Sequence, residues 1–364
     1  MIIGIEVSHA NKEQRTGVEN VCLALTQELK KQIPSATEVI LYSNKPLGRE
    51  LSGIPINWQA KILYWPFKKM WSQVRLSFEL LFHPPDIFFA PGQLIPFFCP
   101  KKTIAIIHDS AFLFYPEAYN FWGRQYLKWM NKRIIKKSWK IITSSEFNKD
   151  EIKKYYGDKA AEKVVVIPFA YDSQKFKIIT EDKKEILEKY KITKSYIISI
   201  GRLEKKKNTV NIIKAFNILK KYQDIQLVLI GNPGVGYDEV EGEIQKSPYK
   251  NDIIRPGWVG GDDVPYLLNK AQVFVFPSLY EGFGLPVLEA MACGCPVVAG
   301  DLPSLHEVGG EAALYADSNS AVDIAEKISE VITGEKRVKI VSEGLEHVQD
   351  FSWEYTVKKI ISLF

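Results

Sequence analysis

The chain has 364 residues, of which 46% are hydrophobic and 25% are charged, and its formal net charge is +5. This length exceeds what one hydrophobic core usually serves, so we expect two domains, and the ordinary composition argues against a disordered or fibrous protein. Its four scattered cysteines exclude a disulfide framework and indicate thiols in a reducing cytosol. The N-terminus lacks a basic start, and no apolar run reaches the roughly 18 residues of a spanning helix, so we expect a cytoplasmic protein without a signal peptide.

Positive charge is concentrated in the first half of the chain. Residues 1–175 carry 25 Lys and Arg against 16 Asp and Glu, whereas residues 176–364 carry 23 against 27. A basic excess of this kind favours an anionic partner, which could be nucleic acid, a phosphorylated acceptor or a membrane surface. Well-solvated lysines are the alternative explanation.

Short apolar runs alternate with amphipathic segments along the first half. Continuous apolarity is typical of parallel strands that are covered on both faces. The predicted strands are Ile2–Val7, Glu38–Ser43, Ile87–Ala90, Thr103–Ile107, Lys140–Thr143 and Val164–Ile167. The predicted helices are Val18–Lys31, Asn120–Lys137 and a segment that Asn148 caps and that ends near Gly157.

The second half repeats this alternation. Its predicted strands are Tyr196–Ile200, Gln226–Ile230, Ile253–Arg255, Val273–Pro277 and Pro296–Ala299, and its predicted helices lie near 182–190, 208–222, 263–270, 286–293 and 320–333. The pattern predicts an α/β fold with two Rossmann-like, doubly wound parallel sheets facing a cleft, in which ligands lie at the carboxyl ends of the strands. We expect one domain over 1–172, a second over 173–352, and a last helix, near 353–364, that packs back on the first domain.

The strongest local motif spans 278–294 and follows an apolar strand. Gly282 and Gly284 would let the backbone approach a ligand closely, and Pro286 suits the first turn of a helix. The backbone amides of 283–285 would then point outward from a helix N-terminus, which is a ready phosphate site.

Four charged side chains accompany this motif and a second one at 201–208. Glu281 and Glu289 are suitable acceptors for sugar and ribose hydroxyls, although capping of a helix is the simpler alternative. Arg202 and Lys207 bracket a strand-to-helix loop, where two cations could clamp a diphosphate. An ordinary exposed loop is the alternative for this second motif.

Together these motifs resemble the retaining glycosyltransferases of family 4, which have the GT-B fold. The Glu-x7-Glu spacing of Glu281 and Glu289, with Gly-Phe-Gly-Leu-Pro between them, is similar to the family signature. The run at 201–208 resembles its diphosphate-binding loop, and Arg15-Thr-Gly17 resembles its first glycine loop. Further similar segments occur at 108–109, 144–147 and 351–354, so the motifs follow family order along nearly the whole chain.

The resemblance implies roles for residues of the second domain. Arg202 and Lys207 would hold the donor diphosphate, Glu289 the ribose hydroxyls and Glu281 the donor sugar. The remaining donor contacts that the resemblance implies are the amides of Phe283, Gly284 and Leu285, and the backbone near Trp258 and Val259, which would meet the nucleobase.

The resemblance also implies two contacts from the first domain. Gly17 would let the acceptor side approach the phosphate, and His108 would line the sugar pocket, although a lone histidine after a strand is often structural. The family needs no metal and no other cofactor. We therefore expect neither, and the sequence contains no convincing metal-ligand cluster.

Two basic stretches, at 64–75 and 120–140, suggest a peripheral contact with an anionic membrane. The stretch at 64–75 mixes aromatic residues with cations, and aromatic rings suit headgroup depth while lysines suit anionic lipid, whereas a core-facing helix edge is the alternative. The stretch at 120–140 is a second basic face, for which a lipid-pyrophosphate acceptor is the other explanation. Nucleic acid is not expected as a partner, because no recognition motif accompanies the charge.

The expected activity is transfer of a hexose from a nucleoside-diphosphate sugar to a polysaccharide or glycolipid precursor, with retention of configuration. Resemblance to the mannosyltransferase-like branch favours GDP-mannose as donor. The alternatives are a UDP-sugar glucosyl- or N-acetylglucosaminyltransferase, a nucleotide-sugar 2-epimerase, and a catalytically silent binding subunit. A Rossmann dehydrogenase is disfavoured, because Gly231-Asn-Pro-Gly234-Val-Gly236 has the wrong spacing for a dinucleotide loop.

Overall fold

The computed structural model describes residues 1–67, 69–334 and 336–364. Lys68, within the basic stretch at 64–75, lies outside the described residues. The chain divides into two compact units. The first unit comprises Met1–Leu113, Phe121–Ala170 and Ser352–Phe364, and the second comprises Phe114–Asn120 and Tyr171–Phe351.

The first unit is built on a parallel sheet of seven strands in the order β3-β2-β1-β4-β5-β6-β7. The strands are β1 Ile2–Glu6, β2 Glu38–Ser43, β3 Trp58–Ile62, β4 Ile87–Ala90, β5 Thr103–Ile106, β6 Lys140–Thr143 and β7 Val164–Val166. The helices are α1 Gly17–Gln32, α2 Ser77–Phe82, α3 Ala111–Phe114, α4 Phe121–Lys137, α5 Glu146–Tyr156 and α6 Asp158–Ala161. A π-helical turn, Ser72–Leu76, leads into α2.

The second unit repeats the same winding with six parallel strands in the order β10-β9-β8-β11-β12-β13. The strands are β8 Tyr196–Ile200, β9 Gln226–Ile230, β10 Ile253–Gly257, β11 Val273–Phe276, β12 Val297–Gly300 and β13 Ala313–Ala316. The helices are α7 Lys184–Lys189, α8 Thr209–Leu219, α9 Tyr237–Lys246, α10 Val264–Lys270, α11 Leu285–Ala292, α12 Pro303–Gly309, α13 Ala321–Thr333 and α14 Lys336–His347. The last helix, α15 Trp353–Ile361, belongs to the first unit.

Both sheets follow the doubly wound order in which strand succession reverses beside the first strand. Every residue of β4, β5, β9, β11 and β12 is buried, as parallel strands covered on both faces require. The prediction of two Rossmann-like parallel sheets is therefore confirmed.

The terminal helix α15 is fixed to the first unit by specific contacts. The Thr356 hydroxyl donates to the Pro168 carbonyl at 2.7 Å, and the Gln32 side-chain amide at the end of α1 donates to the Glu354 carbonyl at 3.1 Å. The Phe364 ring lies edge-on to Phe89 of β4, with centroids 6.0 Å apart. The last residues thus complete the core of the unit in which the chain begins.

Two strands, several helices and a helix cap differ from the sequence predictions. The helices α2, α9, α12 and α14 were not predicted. Neither β3 nor β13 was predicted, because both are edge strands with partly exposed residues instead of continuous burial. Ser145, not Asn148, caps α5: its side-chain oxygen accepts a hydrogen bond from the Asn148 backbone N–H at 3.2 Å. The serine competes successfully because it is already extended, as an N-cap must be, while Asn148 is inside the first turn.

Across the described residues, no helix combines the length and the hydropathy needed to cross a bilayer.

Candidate functional site

The loop that follows β8 is held in place by a second loop that follows β9. The Leu203 N–H donates to the Asn232 carbonyl at 3.0 Å, the Gly234 N–H donates to the Leu203 carbonyl at 3.0 Å, and the Lys205 N–H donates to the Val235 carbonyl at 3.2 Å. The segment at 231–236 has the wrong spacing for a dinucleotide loop, but its position shows another role, since it supports the backbone of the loop that carries Arg202.

Glycine is required where these two loops touch. Gly231 has φ +142°, and a Cβ built on it would lie 1.9 Å from the Gly201 carbonyl oxygen. Real side chains do not approach backbone this closely. The glycine therefore sets how near the second loop can come to the first.

Asn208 joins the two sequence motifs. It adopts a left-handed conformation with φ 59° immediately before α8, and its side-chain amide donates to the Pro277 carbonyl at 2.9 Å and to the Ser318 carbonyl at 2.6 Å. The Leu279 N–H also donates to the Lys206 carbonyl at 2.9 Å. Asn208 ends the second sequence motif but has no predicted role there; an asparagine directly before a helix, a residue type that tolerates the left-handed conformation, is the signal in the sequence that points to it.

As a result, Lys207 and Glu281 come together as an ion pair. The Lys207 Nζ lies 2.5 Å from Glu281 Oε1 and 4.8 Å from the ring centroid of Phe276. Both side chains are mostly shielded from solvent. Arg202, in the same loop, is exposed, and its side chain has no hydrogen bond or ion pair among the described residues. The site therefore carries one positioned ammonium group and one uncommitted guanidinium.

The loop at 282–285 leads into α11 as predicted. Gly284 has φ +118° and a Cβ on it would lie 2.7 Å from the Leu305 side chain, so only glycine fits. Pro286 lies in the first turn, and Phe283 is buried with its ring edge-on to Phe351 at 6.3 Å. The Leu285 N–H lies at the helix N-terminus, where it can donate to an anion. Pro286 has no N–H, and the Val287 N–H donates to the Gly284 carbonyl at 2.9 Å.

Glu289 lies one turn inside α11, and its carboxylate has no hydrogen-bond partner among the described residues. Burial raises its pKa from 4.5 to about 7, an effect that Lys175 opposes and Asp172 reinforces. A half-buried carboxylate that no protein group satisfies is suited to accept hydrogen bonds from ligand hydroxyls.

The residues expected near a nucleobase follow β10. Trp258 is 57% exposed, whereas Val259 is buried, so Val259 can offer a ligand only its backbone. Nearby, a Cβ on Gly261 would lie 2.7 Å from the Lys175 Nζ. Lys175 thus links this segment to Glu289, whose pKa it influences.

In the first unit, His108 follows β5 and is held as a neutral imidazole. Its Nε2 donates to the Pro91 carbonyl at 2.7 Å, since a carbonyl can only accept, and its ring lies 5.6 Å from that of Phe169. Burial lowers the pKa of His108 from 6.5 to about 4. The Nδ1 lone pair is therefore available as an acceptor at neutral pH.

Gly17 is the first residue of α1, and a Cβ on it would meet no protein atom within 4 Å. Packing inside the unit therefore does not explain the glycine. The preceding Arg15 of the same motif pairs with Glu50 at 2.6 Å.

The structure thus places Arg202 and Lys207 in the loop after β8, and Glu281 and the start of α11 after β11, at one edge of the second sheet. In the first unit His108 follows β5, and Gly17 begins α1. Within the described parts of the chain, no three His, Cys, Asp or Glu side chains are grouped so that they could hold a metal ion.

Comparison with known proteins identifies the family. Residues 15–175 match the family model described as Glycosyltransferase Family 4, and residues 182–347 match Glycosyl transferases group 1. The chain is 29% identical over 317 residues to O-antigen chain mannosyltransferase B of Escherichia coli, covering 85% of this chain and 80% of that protein. It is 30% identical over 278 residues to an uncharacterized glycosyltransferase of Methanocaldococcus jannaschii, covering 73% and 69%.

A third relative is much longer than this chain. The serotype-specific mannosyltransferase WbdA of Escherichia coli is 29% identical over 279 residues, which cover 73% of this chain but only 33% of WbdA. The chain therefore corresponds to about a third of that protein.

Solved structures share the whole fold. Sucrose-phosphate synthase from Thermosynechococcus elongatus superposes with a TM-score of 0.78 at 18% identity, covering 100% of this chain and 98% of that one. HepE from Anabaena, in complex with UDP and glucose, gives a TM-score of 0.76 at 17% identity and the same coverage. The chain is a glycosyltransferase with the GT-B fold, and it belongs to glycosyltransferase family 4, with a Family 4 match in its first half and a group 1 match in its second.

Proposed function

We propose that this glycosyltransferase transfers mannose from GDP-mannose to a polysaccharide or glycolipid precursor, with retention of configuration. The observation that carries the proposal is the Lys207–Glu281 pair, which lies in the same site as the uncommitted Arg202. The names of two relatives, both mannosyltransferases, support mannose as the sugar.

We assign the donor to the second unit, over about 173–352, and the acceptor to the first. Arg202 and Lys207 bind the diphosphate, and the amides of 283–285 add donors from the start of α11. Glu281 orients Lys207 and accepts hydrogen bonds from the sugar hydroxyls. Glu289 accepts from the ribose.

The nucleobase and the sugar have further assigned contacts. The backbone at Trp258 and Val259 meets the nucleobase, and Gly17 and His108 act from the acceptor side. With its Nε2 committed to Pro91, His108 offers Nδ1 to a sugar hydroxyl.

The reaction we propose takes place on one face of the sugar. The bond from the anomeric carbon to the diphosphate oxygen breaks, the acceptor oxygen bonds to the same face, and the released phosphate takes the acceptor's proton. Arg202 and Lys207 stabilise the charge that develops on the leaving diphosphate. Because these two side chains supply the positive charge, we propose that transfer needs no metal ion, and chelation with EDTA should leave the rate unchanged.

A nucleotide panel tests the donor assignment. Thermal unfolding is measured with GDP, UDP, ADP, dTDP and CMP, and a ligand at 100 times its Kd adds about 2.7 kcal/mol to the free energy of unfolding. Stabilisation by GDP alone is the expected result. The Arg202→Ala variant should lose it, whereas Lys205→Ala, which removes an exposed cation from the same loop, should keep it.

Other outcomes favour the alternatives. Stabilisation by UDP alone would indicate a UDP-sugar as donor in place of GDP-mannose. The enzyme would then be a glucosyltransferase, an N-acetylglucosaminyltransferase or a 2-epimerase, and only the epimerase would interconvert sugars in an assay without acceptor. Stabilisation by no nucleotide would contradict the donor site and favour a silent binding subunit.

We further propose that the first unit binds an anionic membrane through an aromatic-basic face. On α4, Trp122, Tyr126, Trp129, Arg133 and Lys136 recur at three- and four-residue intervals and so share one side of the helix. Each of the three aromatic side chains is exposed, and Trp122 is 79% exposed. Aromatic rings beside cations are typical of proteins at the bilayer interface.

The aromatic-basic face continues beyond α4. The Arg133 guanidinium lies 4.8 Å from the Phe97 ring centroid, and the neighbouring Phe98 N–H donates to the Ser77 hydroxyl at 3.2 Å. Ser77 begins α2, on which Phe78 and Phe82 are also exposed. In the stretch at 64–75, Tyr64 and Phe67 are exposed whereas Trp71 is buried, so this stretch contributes only in part.

Vesicle sedimentation tests this surface. The enzyme should bind phosphatidylcholine vesicles containing phosphatidylglycerol more tightly than vesicles without it, and added salt should weaken the binding. The double variant Trp122→Ser/Trp129→Ser should bind about tenfold or more weakly. Tyr222→Ser removes an aromatic ring that is 84% exposed on the second unit and should change nothing. Equal loss in both variants would contradict the proposal.

A further inference from the structure

A buried acid–imidazole pair in the first unit has no role in the chemistry described so far. Glu6 is the last residue of β1 and is 2% exposed. Its Oε1 accepts a hydrogen bond from the Ser8 N–H at 2.8 Å, and its Oε2 lies 3.3 Å from Nδ1 of His9. Burying a carboxylate costs free energy, so a buried pair of this kind is retained either because its hydrogen bonds offset that cost or because it has a function.

The imidazole of His9 lies against a glycine. A Cβ on Gly92 would come within 2.5 Å of the His9 Nδ1, so the ring occupies space that any other residue at position 92 would fill. The carbonyl of the adjacent Pro91 accepts the hydrogen bond from His108 Nε2 at 2.7 Å. Two histidines therefore contact neighbouring residues of the segment after β4, at the carboxyl ends of β1, β4 and β5, where α/β sheets bind ligands.

The free face of His9 points away from Glu6. Because an ionised carboxylate only accepts, Nδ1 carries the hydrogen, and Nε2 has no hydrogen-bond partner among the described residues. The side chain is 17% exposed, so a ligand can reach it. This arrangement, in which one nitrogen is fixed by a carboxylate and the other is open, orients an imidazole for contact with a second molecule.

The charges around His9 favour its protonated form. Burial by itself lowers the pKa of His9, but the hydrogen bond and the charge of Glu6 raise it above 6.5, with Lys12 opposing and Glu19 reinforcing the effect. His108 faces the same region and stays neutral. The surroundings therefore favour the protonated form of His9 and the neutral form of His108.

We infer that His9 is an acceptor-binding residue, positioned by Glu6, whose protonated Nε2 donates a hydrogen bond to a hydroxyl or phosphate oxygen of the acceptor. The inference rests on the proposed function in assigning the acceptor to the first unit. Glu6 is a positioning residue, since its carboxylate reaches the acceptor only through His9.

The test uses acceptor kinetics on the full chain. The probes are octyl glycosides of mannose, glucose and N-acetylglucosamine, and the same sugars on a lipid diphosphate, with GDP-mannose or whichever nucleotide sugar the panel indicates. The probe that the wild-type enzyme elongates fastest is used throughout. His9→Gln keeps a side chain of similar size and removes the charge.

The expected result is selective for the acceptor. His9→Gln should raise the acceptor KM by roughly 10- to 100-fold, the effect of losing a hydrogen bond to a charged group, and leave stabilisation by the nucleotide unchanged. Glu6→Gln should act in the same direction. The matched control is His83→Gln. This change removes the imidazole of another histidine–glutamate pair, His83–Glu79, in which the histidine side chain is 70% exposed.

The pH profile separates binding from a structural role. The wild-type acceptor KM should rise as pH rises through the pKa of His9, because the Nε2 hydrogen is then lost. In His9→Gln this dependence should disappear, and in Glu6→Gln it should move to lower pH, since the carboxylate no longer holds the proton on the ring.

Two outcomes would overturn the inference. A His9→Gln enzyme with a lower melting temperature but a wild-type acceptor KM and pH profile would show that the pair only stabilises the turn after β1. A nucleotide response lost together with acceptor binding would show a general effect on the enzyme. Failure of the proposed function is seen separately: wild-type enzyme would then respond to no nucleotide and elongate no probe, and the inference would fall with it.

Discussion

The two units wind their parallel strands in the same order but place different chemistry at the strand ends. In the second unit the groups are fixed charges, namely the Lys207–Glu281 pair and Arg202. In the first unit they are imidazoles, and the surroundings move their pKa values in opposite directions for His9 and His108. Since one topology supports both sets, the sheet determines only where the site forms, and the loops determine what it does.

The surfaces of the two units also differ, in their charge and in their exposed aromatic side chains. Residues 1–175 carry the excess of positive charge, and most of the large exposed aromatic side chains lie between positions 64 and 155. The second unit exposes few large aromatic side chains among its described residues, Trp258 and Tyr222 being the most exposed. This difference is the one expected from the proposed roles, since binding of a soluble nucleotide sugar needs no hydrophobic surface whereas binding of a lipid-linked acceptor does.

Removing the fixed charges of the second unit should have the largest effect. Lys207→Ala deletes one of the two cations assigned to the leaving diphosphate and leaves Glu281 buried and unpaired, so the transfer rate should fall by roughly 100- to 1000-fold. Arg202→Ala should have a similar effect. Measuring kcat for both against Lys205→Ala, whose exposed side chain has no assigned role, checks this. If Lys207→Ala or Arg202→Ala kept the wild-type kcat, the same-face mechanism would be contradicted.

Disturbing the support of the Arg202 loop comes next. Gly231→Ala forces a Cβ against the Gly201 carbonyl, and overpacking of this kind costs roughly 1–3 kcal/mol of stability. Urea unfolding measures the loss, and nucleotide-induced stabilisation should weaken with it.

Gly242→Ala is the matched control. Gly242 lies inside α9, where a Cβ would meet no atom within 4 Å, so this change should stabilise by about 0.5–1 kcal/mol. Equal behaviour of the two variants would mean that the close approach of the loops is not needed.

The acidic group of the second unit should give a smaller, pH-dependent effect. Because the pKa of Glu289 is raised to about 7, its carboxylate is charged only above that pH, and nucleotide affinity should rise several-fold between pH 6 and pH 8. Glu289→Gln has no titrating group at this position, so its nucleotide affinity should lack this pH dependence, as isothermal titration calorimetry can measure.

The same shift has a consequence for stability, with the opposite sign. The folded protein holds the Glu289 proton more tightly than the unfolded chain does, so the contribution is complete below pH 4.5 and is lost as pH rises to about 7. Without ligand, Glu289→Gln should therefore gain stability relative to wild type between pH 5 and pH 8. If the free energies of unfolding of the two proteins changed with pH in parallel, the raised pKa of Glu289 would be contradicted.

The smallest effect distinguishes the two histidines of the first unit. Proton NMR of the five imidazole rings should show one that titrates above 6.5, which Glu6→Gln shifts downward, and one that stays neutral until about pH 4. Assignment by His9→Gln and His108→Asn completes the measurement. If both rings titrated with the same pKa, the predicted difference between His9 and His108 would be contradicted.

Much of the fold was predictable because it depends on local patterns. Buried strands such as β9 and β11 consist of continuous apolar residues, and the start of α11 follows from Gly284 and Pro286. The edge strands β3 and β13 were missed because solvent reaches one side of them, which breaks the apolar run. The capping of α5 was misplaced because several polar residues competed for one position.

The sequence by itself determined the family, the two-sheet architecture and the residue types of the candidate site, since these follow from motifs and periodicity within short segments. Only the tertiary structure decided which of those residues meet. The Lys207–Glu281 pair joins residues 74 positions apart, and the Gly231 contact and the Glu6–His9–Gly92 arrangement likewise bring together different loops. Such contacts depend on how strands lie side by side, and so does the burial that shifts the pKa values of Glu289 and His108.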